Sequence, residues 1–288
     1  MTLFALSLLL VAAVLHASWN YCAKRASGGL PFVAVVSVII CAVYVPVVAT
    51  YWILWKPSLR PETWLWVAGS GVLKTGYALF LQRAYRAGDF SLTYPLARGT
   101  GPLLSTLAAI AFLGERPSAL ALAGSVVLIG GIFHLTGGAR LFREDAAHLA
   151  RAVRYGAGSG CFIAAYTLWD RHGVAHLGIP PVLYDAGTAF TQLALLTPFA
   201  LRRKDEVAVI WRDHRRWVFG MALLCPLAYV LVLTAMTFTP VSYVAPAREV
   251  SILIGAFLGA RLLREEEGRR RLVAAGAIVL GAVALALG

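Results

Sequence analysis

Apolar stretches of about twenty residues succeed one another along the whole chain, parted by short segments rich in charge, Gly and Pro. A helix needs roughly 20 mostly apolar residues to cross a bilayer. Inside lipid, only helices and closed barrels satisfy their own backbone hydrogen bonds. Runs near 2–22, 31–55, 63–82, 91–113, 119–137, 155–170, 180–201, 217–238, 242–260 and 272–287 predict an all-α integral membrane protein with ten transmembrane helices. Only 14% of residues are charged, against about 25% in a soluble globular chain, so lipid is the expected solvent. The first run has no basic residue before it and Lys24-Arg25 after it. That is the reverse of a cleavable signal peptide, and the run is expected to be retained as a helix.

A net charge of +12 invites a nucleic-acid reading, but its placement argues against one. Nineteen of the 26 Lys and Arg residues fall in the odd-numbered connections between runs, and four in the even-numbered ones. Basic loops stay cytoplasmic, so the odd connections are predicted inside and both termini outside a bacterial inner (cytoplasmic) membrane. Cys22, Cys41, Cys161 and Cys225 lie singly in apolar stretches, which fits packing rather than zinc or redox chemistry. No Gly-x-x-x-x-Gly-Lys-Ser/Thr sequence is present, so this chain does not supply ATP-driven transport by itself.

The chain also repeats itself. Shifted by 150 residues, Trp19 falls on Trp169, Asn20 on Asp170, Pro31 on Pro181, Arg98 on Arg248, Gly101 on Ser251, Glu115 on Glu265 and Gly131 on Gly281. Trp, Arg and Glu are uncommon in apolar sequence, so one offset shared by all of them indicates duplication. Residues 1–137 would form the first five-helix repeat, 138–154 a basic connecting loop and 155–288 the second repeat. An odd number of spans per repeat inserts the second copy upside down, as in many secondary transporters.

Three short motifs sit at repeat-equivalent places: His16-Ala17-Ser18-Trp19-Asn20 with Lys24, Leu113-Gly114-Glu115, and its echo Leu263-Arg264-Glu265. In these the chain resembles the EamA-like branch of the drug/metabolite transporter superfamily, over both halves. Arg264 stands where the pattern has Gly. EamA-like proteins are often drawn with cytoplasmic termini, whereas the orientation expected here follows the charge count. The resemblance implies a ten-helix transporter without nucleotide hydrolysis, its central cavity lined mainly by helices one to four and six to nine.

Ionised side chains in a span cost about 2.5–3.5 kcal/mol on insertion scales, so Lys74, Arg98, Arg248 and Glu249 are the first candidates for substrate binding. Tyr94, Arg98, Gly101 and Ser105 share one face of the fourth helix, and Val244, Arg248, Ser251 and Gly255 the equivalent face of the ninth. Pro95, Pro102 and Pro246 lie in the same helices, and each frees a carbonyl, which suits a cavity wall. Snorkelling to the interface is the alternative for both arginines. Neighbours on a helix point about 100° apart, which leaves Glu249 to face Lys74 or to carry a coupling proton. The four charges sum to a net positive site, and arginine forks match carboxylate or phosphate oxygens. An anionic or zwitterionic solute is therefore expected. Trp19, Tyr77, Tyr94, Tyr166, Trp169 and Tyr229 could shape the cavity or anchor helices at the interface. His16 and Asn20 share a face of the first helix and join the candidates.

Other signals read as structural. His172 and His176 have metal-pair spacing, but Gly173 weakens the helix and Asp170 is the only further ligand at hand. Gly156-x-x-x-Gly160, Gly255-x-x-x-Gly259 and the Gly-rich fifth and tenth helices suit close packing. Glu115 and Glu265 are placed to oppose the dipoles of the helices that follow them. The sequence thus predicts a secondary active transporter of a small organic anion or zwitterion, working by alternating access. A lipid or lipid-linked-sugar flippase is the alternative within transport, and a membrane-embedded enzyme the alternative outside it. No cofactor or metal is expected. The partners are a small solute and membrane lipid, with a homodimer compatible and nucleic acid excluded.

Overall fold

The computed structural model describes residues 1–26, 29–86, 90–135, 146–254 and 268–288, and among them the chain is helical without strands. The helices are α1 (Leu3–Arg25), α2 (Leu30–Trp55), α3 (Glu62–Arg86), α4 (Phe90–Leu113), α5 (Ala119–Leu135), α6 (Ala146–Arg171), α7 (Pro181–Leu201), α8 (Lys204–Phe238), α9 (Val241–Arg248) and α10 (Gly268–Leu287). A π-helical turn, His172–His176, prolongs α6, and helix resumes at 250–254 after a turn residue at Glu249. The repeat is visible in the starts: α2 at Leu30 and α7 at Pro181, α4 at Phe90 and α9 at Val241, α5 at Ala119 and α10 at Gly268.

Two helices begin well before their apolar runs, α6 at Ala146 and α8 at Lys204. Charged and polar residues interrupt both beginnings, His148, Arg151 and Arg154 in α6 and Lys204, Asp205 and Glu206 in α8, yet once a helix is nucleated each added residue costs little. In α8, Asp205 and Glu206 also sit at the positive end of the dipole. Residues 146–154 are therefore helix rather than connecting loop, and 138–145 lie outside the described residues.

Among the described residues, four helical stretches are by themselves long and apolar enough to cross a membrane: Leu3–Ala23, Leu30–Trp55, Leu96–Leu113 and Lys204–Phe238. Large apolar side chains point outward elsewhere too, with Val126 66% and Leu280 68% exposed, a surface suited to lipid rather than water. Buried hydroxyls turn back onto their own helix: Thr75 onto the Gly71 carbonyl, Ser105 onto Gly101, Thr167 onto Ile163 and Thr188 onto Tyr184.

Small residues set the approach of the helices. α5 and α10 meet backbone to backbone, and a Cβ on Gly124 would lie 2.6 Å from the Leu285 nitrogen, one on Gly281 2.5 Å from the Leu128 nitrogen. A side chain on Gly160 of α6 would run into Thr100 of α4. α3 lies between α6 and α7, with Gly76 against Phe162 and Gly71 against Thr191. α1 lies along α8 and α2 along α7.

The connections gather at two ends. The Met1 ammonium donates to the Ala286 carbonyl at 3.2 Å, Ser118 N–H to Tyr243 Oη at 3.3 Å, and Tyr243 Oη to the Gly288 carbonyl at 3.3 Å. Both termini, the α4–α5 connection and the start of α9 therefore share one end. At the opposite end Ala26, Phe32, Ile210 and Val218 pack the α1–α2 turn against the start of α8.

Candidate functional site

Two groups of buried charge lie between the repeats. The first forms around Lys74, which the glycines of α3 bring close to α6 and α7. Its Nζ is 3.2 Å from Asp170 Oδ2 and 3.9 Å from Asp185 Oδ1, and 4.0 Å from the centre of the Tyr229 ring, with Tyr166 at 5.9 Å. Asp170 is fully buried. Its Oδ1 accepts from Tyr184 Oη at 2.9 Å and its Oδ2 from Tyr229 Oη. Tyr44 Oη of α2 donates to Asp185 Oδ2 at 2.6 Å. Every oxygen of the two carboxylates thus faces a donor or a cation, the condition for keeping charge out of water.

The second group joins α4 to α9. Arg98 Nη2 is 2.8 Å from Glu249 Oε2, and Arg248 Nε is 3.8 Å from Glu249 Oε1. The two arginines, equivalent in the repeat, converge on one carboxylate, and Glu249 faces them rather than Lys74. His16 of α1 lies within the field of both arginines, its Nε2 buried without a hydrogen-bond partner. Tyr166 and Tyr229 lie within electrostatic reach of Arg248. Since both tyrosines flank Lys74 as well, the two groups form one polar layer.

The remaining expected residues are placed less uniformly. Ser251 is buried, its hydroxyl without a partner. Trp19 packs edge-on to the His16 ring at 4.6 Å. Asn20 is exposed and donates to the His16 carbonyl of its own helix at 2.9 Å. Tyr77 packs edge-on to Tyr166 at 6.2 Å. The backbone of Tyr94 lies in α4, but its side chain is outside the described part, as are Gly255, Gly259 and Glu265.

Asp170 and Asp185 were not among the expected site residues, and they overturn the expected net positive charge. Among the described residues Lys74, Arg98 and Arg248 are matched by Asp170, Asp185 and Glu249, so their formal charges cancel. The available signal was the alignment of Asp170 with Asn20 and the position of Asp185 inside an apolar run.

Glu115 departs from its expected place too. Its Oε1 accepts from Val241 N–H at 2.7 Å and its Oε2 from Ser242 N–H at 2.8 Å, so it caps α9. The start of α5 is served by Ser118 Oγ, which accepts from Ala121 N–H at 3.0 Å. His172 stacks on Trp66 at 4.2 Å between ring centres. Burial, ahead of the neighbouring His176, lowers its imidazole pKa, which favours the neutral ring. Trp169 donates through Nε1 to the Trp66 carbonyl at 2.7 Å, so it anchors α6 to α3. Among the described residues no three His, Cys, Asp or Glu side chains are grouped to hold a metal.

Comparison with known proteins adds three findings. The model of the EamA-like transporter family matches residues 3–137 and again 151–287. No protein of curated function matches the chain. A solved crystal structure, described only as that of a protein, superposes with a TM-score of 0.75 at 20% identity, over 98% of this chain and 98% of that one. That likeness supports the fold alone.

Proposed function

Because the chain belongs to the EamA-like transporter family, within the drug/metabolite transporter superfamily, we propose that it is a secondary active transporter of a small organic anion or zwitterion. Ten crossings form two inverted repeats that alternately open a midplane site. The observation that carries the substrate class is the meeting of Arg98 and Arg248 at a single buried carboxylate. Guanidinium forks brought from both repeats are a grip for carboxylate or phosphate oxygens, and a grip shared by two inverted repeats can be presented to either side in turn. Lys74 and its aspartates form the adjoining wall, where the ammonium of a zwitterion would find carboxylates.

The test is radiolabelled counterflow in proteoliposomes, with organic acids, phosphonates, amino acids and sugar phosphates as cargo. Accumulation of at least one against unlabelled counter-substrate is expected. Movement of neutral solutes only would overturn the substrate class. An apolar groove lined by Val48, Trp52, Val67, Leu183 and Phe190 is where an acyl chain would lie if the cargo were a lipid. Phospholipid scrambling without counterflow would favour the flippase.

Orientation follows from the basic connections: both termini outside, with the connection around Lys204 in the cytoplasm. Cysteines placed at Ser58 and next to Gly288 should react with an impermeant maleimide in intact cells, and one at Lys204 should not. The opposite labelling pattern would invert the molecule and leave the repeat untouched.

A further inference from the structure

We infer that Glu249 is a built-in stand-in for the anionic group of the substrate: it holds Arg98 and Arg248 while the site is empty, yields them on binding, and so lets the carrier return unloaded. The inference deepens the anion-site reading above and rests on it.

Four observations carry it. First, Glu249 occupies the place that a substrate carboxylate would take, 2.8 Å from Arg98 and 3.8 Å from Arg248. Second, the pairing around it is incomplete. Arg248 Nε and His16 Nε2 are buried without hydrogen-bond partners, and Glu249 Oε2 itself lacks a well-directed hydrogen bond although Arg98 Nη2 is 2.8 Å away. Buried polar groups are ordinarily satisfied, and an arginine nitrogen left over beside an imperfectly bonded carboxylate suits a ligand that completes the bonding.

Third, Glu249 stands where the helix is irregular. Its N–H bonds back three residues to the Pro246 carbonyl at 3.0 Å, and its carbonyl accepts from Ile252 N–H at 2.9 Å. One turn earlier Pro246 has no N–H to bond back to the Ser242 carbonyl, so the ladder is interrupted there as well. Such a break is a place where a backbone re-aims a side chain at small cost. Fourth, the repeat does not duplicate it. The equivalent position in the first half is Gly99, so one carboxylate serves two arginines.

The consequence is a difference between net transport and exchange. With substrate bound, its own anion compensates the guanidiniums. With the site empty, Glu249 is the carboxylate that the described residues place beside both arginines, and its loss would oppose the return step by leaving less compensation for buried charge. Removing the carboxylate should therefore tighten substrate binding by deleting a competitor, and should slow net efflux more than exchange.

The experiment uses the full-length protein in proteoliposomes with radiolabelled succinate, glutamate, alanine and methylphosphonate. The probe that the wild type exchanges fastest is carried forward. For Glu249→Gln, we expect half-saturation at about three- to tenfold lower concentration. The ratio of efflux into probe-free buffer to exchange should fall about fivefold below that of wild type. Glu249→Asp keeps the charge and should restore the wild-type ratio of net efflux to exchange. The inference is overturned if the glutamine variant keeps that ratio, if it loses exchange together with efflux, or if the aspartate variant behaves like the glutamine one. Should the glutamine variant not fold, the aspartate variant still decides, because a normal ratio with tighter binding supports the competitor role and a lost ratio overturns it. A wild type that exchanges none of the four probes overturns the anion-site reading itself, and the stand-in role with it.

Discussion

Lys74→Ala should destabilise the folded protein by about 3–5 kcal/mol, the usual cost of removing one partner from a buried ion pair. Asp170 is fully buried and Asp185 nearly so, and the ammonium 3.2 Å and 3.9 Å away is the cation that the structure places beside them. The tyrosine hydroxyls of Tyr44, Tyr184 and Tyr229 donate to both carboxylates, but a hydroxyl offers a dipole where a charge has been lost. The double variant Lys74→Met with Asp170→Asn removes charge from both sides and should recover most of the loss, because a neutral pair of similar size often matches a buried ion pair. Unfolding in mixed micelles measures both. A Lys74→Ala protein within about 1 kcal/mol of wild type would show that the cluster is wetter than its burial indicates.

Arg98→Ala and Arg248→Ala should each weaken substrate binding roughly ten- to hundredfold, corresponding to about 1.5–3 kcal/mol for a charge-assisted hydrogen bond. The two should not behave alike in every respect. Arg98 makes the closer pair with Glu249, 2.8 Å against 3.8 Å, so its loss should also cost more stability. Arg98→Lys and Arg248→Lys keep the charge without the fork, and should recover part of the affinity. Half-saturation for exchange, on protein that elutes as a single species, is the measurement. Wild-type affinity in both alanine variants would mean that the arginines serve the fold alone.

The repeat, the helices and the arginines were legible in the sequence because each leaves a local or periodic mark. Apolar runs set most of the helix limits, and one offset placed Arg98 on Arg248. What escaped was non-local. Asp170 closes an apolar run, which makes it resemble a boundary residue, yet its Oδ1 and Oδ2 accept from tyrosines on α7 and α8 while Lys74 arrives from α3. Nothing in the spacing of one helix announces donors from three others. Glu115 was misplaced for a related reason: a carboxylate just before a helix suggests that helix, whereas the chain folds it onto the start of α9. The early starts of α6 and α8 escaped because basic and acidic residues there, such as Arg151 and Arg154 or Lys204, Asp205 and Glu206, resemble a connection between apolar runs.

The division between the halves of the six paired charges described above bears on how the chain is made. The first half contributes Lys74 and Arg98, both cations, and the second contributes Asp170, Asp185 and Glu249 against the single Arg248. The ribosome delivers the first half before any of those carboxylates exists. Lys74 and Arg98 must therefore wait, hydrated or at the membrane edge, until the translocon releases the helices that bear their counterions. Neither half can bury its charges alone, so the polar layer is completed only when the last of these helices has been inserted, and maturation is tied to the joining of the two halves.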